Sequence, residues 1–77
     1  MDQSTNTSRL ITKSLEFHNS KVLVVLYDKG SHLHMQVYVY TDVATNCKRL
    51  VREKSIDRNW KNRDTLELLS TEFPEGI

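Results

Sequence analysis

His32 and His34 form an H-x-H pair, and His18 and Cys47 lie elsewhere in the chain. These are metal-ligating residue types, and two histidines spaced by two share one face of a strand. A closed structural zinc site takes four ligands. Here His18 and His32 fall at opposite ends of one strand, about 20 Å apart at strand rise. Surface histidines are the expectation, with no metal and no cofactor. Cys47 precedes Lys48 and Arg49, a cationic setting that activates thiols. It has no histidine and third orienting group set beside it, and no G-x-S-x-G is present. With two glycines in 77 residues, a phosphate-cradling loop is not expected either. No small-molecule substrate suggests itself, and the expectation is a protein that is not an enzyme.

The segment "CKRLVREKSIDRNWKNR" interleaves seven cations with Trp60, while Tyr38 and Tyr40 offer stacking faces. Residues 47–63 hold seven basic and two acidic residues; 64–77 hold four acidic and none basic. The net charge of the whole chain is only +1. A solvated basic edge beside an acidic helix accounts for this pattern, and a nucleic-acid patch is the alternative.

These residues need elements to position them. A chain of 77 residues is one domain that buries about 60% of its unfolded surface, so its stability should be a few kcal/mol. A single cysteine gives no disulfide framework, and no apolar run approaches a membrane span. The chain is therefore expected to be cytoplasmic. "MDQSTNTS", residues 1–8, reads as a flexible tail ahead of a single α+β domain over 9–77.

Ile11, Leu15 and Phe17 share a parity, Val22–Tyr27 is a short run rich in β-branched residues, and Leu33, Met35, Val37 and Val39 alternate with His34, Gln36, Tyr38 and Tyr40. These are strands. For residues 42–54 a helix capped by Asp42 competes with a hairpin turning through "VATN". The hairpin is preferred, with Asn46 returning the chain in the left-handed conformation.

A two-residue loop at 19–20 pairs Phe17 with Val22 and Leu15 with Val24. A two-residue loop at 29–30 pairs Leu26 with Leu33, Val24 with Met35, and Val22 with Val37. A four-residue loop at 43–46 pairs Val39 with Leu50 and Leu33 with Ile56. The strong apolar positions then share one face, and a one-residue slip in pairing would scatter them. The fold class is thus α+β, a four-stranded antiparallel meander with one C-terminal helix packed on one face. That helix starts at Asp64, with Glu67 completing a capping box; Leu66, Leu69 and Phe73 form its buried face, and Pro74 and Gly76 end it. Trp60 plugs the rim. Such an architecture is similar to that of several short phage-encoded inhibitors and of single-strand-binding coactivators, a likeness of layout that rests on no motif.

One helix covers one side of a sheet. The other would carry Leu23, Val25, Tyr27, His34, Gln36, Tyr38, Tyr40, Arg49 and Val51, whose composition is that of an interface. The expected function is a small inhibitor- or adaptor-like module that binds a protein partner, or a second copy of itself, through Tyr27, His34, Tyr38, Tyr40 and Arg49. The alternative is a nucleic-acid binder using Lys48, Arg49, Arg52, Lys54, Arg58, Trp60, Lys61 and Arg63.

Overall fold

Alternating apolar residues in the central strands build one continuous sheet. The computed structural model describes residues 10–77, so the expected tail over 1–8 lies outside it. Strands β1 (Leu10–Phe17), β2 (Ser20–Asp28), β3 (Leu33–Asp42) and β4 (Cys47–Ile56) form an antiparallel sheet in chain order. A 3₁₀ turn (Arg58–Asn62) and helix α1 (Thr65–Glu72) follow. The helical alternative for 42–54 is not realised.

The turns differ in detail from expectation, and the difference is instructive. His18 and Asn19 both take positive φ (51° and 66°), so the first loop is 18–19 and not 19–20. This is the I′-type geometry that matches the right-handed twist of two strands. Phe17 therefore pairs with Ser20, and Leu15 with Val22, where Val22 and Val24 were expected. The second loop has four residues, Lys29 to His32, with Asp28 opposite Leu33. The Lys29 amide donates to the His32 carbonyl at 2.9 Å, and Gly30 supplies the positive φ. Val22, Val24 and Leu26 thus face Val39, Val37 and Met35 instead of Val37, Met35 and Leu33. Each change moves the register by two residues, one period of the pleat, so every side chain keeps its face. The third loop is 43–46 as expected, with Asn46 at φ 61° and Leu33 opposite Ile56.

Phe17, Val22, Val24, Leu26, Leu33, Met35, Val37, Ile56, Leu68 and Leu69 form one buried cluster. Fully buried side chains of this size each contribute about 1.5–3 kcal/mol relative to exposure. Asp64 caps α1 by accepting from the Leu66 amide at 3.2 Å. Glu67 accepts from Arg63 at 3.1 Å, so the expected reciprocal box gives way to a surface ion pair. The buried helical face is Leu68 and Leu69, while Leu66 is 44% exposed. With only eight residues, α1 lies so that adjacent leucines straddle its contact line, a choice that spacing alone did not fix. Phe73 packs beside them, and Gly76 at φ 98° turns the chain. Trp60 is half-buried against the cluster.

Candidate functional site

The register assigns the uncovered face row by row. Paired residues of antiparallel strands share a face, so the pairs Glu16–Lys21 and Tyr40–Lys48, brought into line by the neighbouring Val22–Val39 pair, make one row across β1 to β4. The next is Ser14, Leu23, Tyr38 and Leu50, and the third is Thr12, Val25, Gln36 and Glu53. Tyr27 and His34 sit side by side beyond them.

Two expected members are absent. Arg49 pairs with Val39, and Val39 and Val51 pack on the buried cluster. Arg49 and Val51 therefore belong to the helix-covered side, not to the open face. The cause is a pair of irregularities, one between Val37 and Tyr38 and one between Tyr40 and Asp42. An extra residue on β4 is compensated by an extra residue on β3, so only the stretch between them is shifted by one. Within that stretch Tyr38 meets Leu50, and Val39 meets Arg49, where Val39–Leu50 was expected. Leu50 and Lys48 thus join the open face, where Glu53, outside the shifted stretch, lies opposite Gln36. The neighbours Leu50 and Val51 gave no signal of this, since alternation already sets adjacent residues on opposite faces; the bulge exchanges which of the two is covered.

The polar members of this face bond to one another. Glu53 Oε2 accepts from His34 Nε2 at 2.7 Å and from Gln36 Nε2 at 2.8 Å. The Tyr38 hydroxyl donates to Gln36 Oε1 at 3.1 Å. An ionised carboxylate only accepts, so the His34 Nε2 carries a proton here. The bonds from Gln36 and then His34 hold the Glu53 carboxyl below its ordinary range. Tyr27 leans on the His34 ring at 6.3 Å between centroids, Lys29 lies 5.8 Å from the Tyr27 ring, and Lys48 lies 5.4 Å from that of Tyr40. Val25 is buried at the centre, and Leu50 is 44% exposed. The result is a low apolar floor with fixed aromatic and polar groups around it.

The basic segment is arranged differently. Arg58 and Lys61 both donate to Asp28 Oδ2 at 2.9 Å, and the Gly30 amide donates to Asp28 Oδ1 at 2.9 Å. Arg58, the Gly30 amide and Lys61 together hold the Asp28 carboxyl far below the carboxylate range, and Asp28 in turn raises Arg58. Lys54 pairs with Glu72, and Arg63 pairs with Glu67 while lying 4.3 Å from the Trp60 ring. Arg52 donates to the Val51 and Ile77 carbonyls. Lys48 is on the open face, whereas Arg49, Arg52 and Lys54 are on the other, so the eight residues do not converge on one surface.

His18 closes the β1–β2 turn with its ring edge-on to Phe17 at 4.4 Å. His32 lies in the β2–β3 loop, bonded to Ser31 Oγ at 3.0 Å, and the exposed Cys47 accepts from Thr45 Oγ1 at 3.1 Å. Among the described residues no three His, Cys, Asp or Glu side chains cluster in a way that could hold a metal ion. Among the described residues no helix is long and apolar enough to cross a membrane. Comparison with protein-family models, with curated proteins and with solved structures found no match to this chain.

Proposed function

We propose that the chain is a non-enzymatic binding module that engages a protein surface through the open sheet face. The observation that carries this reading is the set Leu23, Tyr27, Tyr38, Tyr40 and Leu50, which no other described element covers on the side opposite α1. Tyrosines around an apolar centre are the composition of interface hot spots. The bonds from Tyr38 through Gln36 to Glu53 and His34 hold these side chains in place before a partner arrives. That lowers the ordering cost of association. The rival, nucleic-acid binding by residues 48–63, is weaker because Lys54, Arg58, Lys61 and Arg63 are already paired with carboxylates.

The test is retention by immobilised protein, using both cell extract and the free chain as the mobile phase. The double variant Tyr38→Ala/Tyr40→Ala should keep its circular dichroism spectrum and lose whatever the wild type retains. A folded double variant that retains the same species would contradict the proposal. The rival is read from Trp60 fluorescence with single- and double-stranded oligonucleotides. It requires affinity that drops roughly tenfold or more between 50 and 200 mM salt.

A further inference from the structure

We infer that the open face is covered by a second copy of this chain, packed face to face about a two-fold axis running along the strands between β2 and β3. This rests on the reading of that face as a docking surface and names its occupant. Such an axis lays β2 over the partner's β3, and β1 over the partner's β4, each residue meeting its own row. Self-complementarity of the rows is what selects a second copy.

Size comes first. On the open face β1 presents the small Thr12 and Ser14, while β4 presents the larger Glu53 and Leu50. Laying one over the other sets large against small, as interdigitating sheet faces require. In the middle, Leu23 meets Tyr38 of the other copy, and Tyr27 meets His34.

Charge matches as well. In the end row, Glu16 and Lys48 stand at opposite corners of the face, with Lys21 and Tyr40 between them. The axis brings the Lys48 corner of each copy over the Glu16 corner of the other, and Lys21 over the Tyr40 ring. Within one copy Lys48 has the Tyr40 ring beside it and no carboxylate within ion-pair distance among the described residues. An axis across the strands through the Leu23–Tyr38 row would instead set Lys48 over Glu53, which His34 and Gln36 already satisfy, and Lys21 over the apolar Val25. The first arrangement is the better matched.

A sheet of four strands and about eight rows of backbone has a face of roughly 500 Å². Covering both faces buries about 1,000 Å² in total, the lower bound for a specific interface. An interface at that bound belongs with weak, transient contacts, so the dimer is to be sought at micromolar concentrations and above.

Sedimentation velocity on the full chain, from micromolar to several hundred micromolar, reads this directly. Lys48→Glu and Glu16→Lys, each folded by circular dichroism, should each shift dimerisation to about tenfold higher concentration or more, since the corner contact occurs twice. An equimolar mixture of the two variants should recover the dimer, because each supplies the charge that the other lacks. A wild type that stays monomeric throughout overturns the inference. Retention of a different protein by the Tyr38/Tyr40 face would in that case still support the docking reading. A dimer indifferent to both single variants, or a mixture that recovers nothing, overturns the two-fold arrangement.

Discussion

On one side of the sheet Val22, Val24, Met35 and Val37 are at most 1% exposed, beneath Leu68 and Leu69 of α1. On the other, the same strands present half-buried Leu23, Tyr27, Tyr38 and Tyr40 and an exposed Leu50. The alternation that produces one face produces the other; only the cover differs. An α-helix of eight residues is about 12 Å long and cannot wrap two sides. Among the described residues the fold thus finishes one apolar surface and leaves a second one, smaller and ringed by hydrogen-bonding groups. Burial holds the first face together, while the second is kept in shape by its own polar bonds and stays available.

The sharpest contrast is between truncations on the two sides. Met35→Ala should cost about 2–5 kcal/mol, since the side chain is fully buried and leaves a cavity. Leu50→Ala, at an exposed position, should cost within about 0.5 kcal/mol. Urea midpoints of equal size for the two variants would erase the distinction between the faces.

Gly76→Ala probes the edge of the covered side. The position has φ 98°, and an added Cβ would lie 3.4 Å from the His18 ring. Strain and contact together should destabilise by about 1 kcal/mol or more, read as a lower thermal midpoint.

Acid separates two carboxylates that sit on either side of the comparison. Asp28 and Glu53 both have lowered pKa values in the fold. The folded state binds these protons less readily than the unfolded chain. Their contributions are complete above about pH 5–6, a unit or so above the unfolded-state values, and fade as pH falls toward the folded-state values. The Asp28 side chain is 9% exposed and holds two cations, whereas Glu53 is 42% exposed and solvent-screened. Asp28→Asn should therefore flatten the loss of stability below pH 4 more than Glu53→Gln does. The reverse order in urea titrations at pH 3 and pH 6 would show that the open-face network does more than orient its members.

Much of this was legible in the residues. The parity of Val24, Val37 and Met35 fixed which face was buried, and it survived two misplaced loops because each displaced the register by a whole pleat period. Asn46 in the left-handed region and Asp64 as the cap were readable from residue type. Arg49 was assigned to the wrong face because the bulge shifts only Tyr38–Tyr40 against Lys48–Leu50. No glycine or proline marks it, and a local change of one residue reverses side chains where a global change of two does not. The bond network through Glu53 was missed although the expected Leu33–Ile56 register already sets Glu53 opposite Gln36: the open face was read by its aromatic and apolar members, and the carboxylate beside them was passed over. The convergence of Arg58 and Lys61 on Asp28 joins residues 30 or more apart, and it turned a basic segment that looked free into one anchored at the end of β2.

The central claim is that the open face docks while the covered face folds. The most direct measurement compares the wild type with Tyr38→Ala/Tyr40→Ala, recording association by sedimentation velocity and stability by urea unfolding on the same samples. The account predicts that association is lost while the variant still unfolds in one cooperative transition, its midpoint well above that of Met35→Ala. Undiminished association in the folded double variant, or a loss of stability as large as that of Met35→Ala, would contradict it.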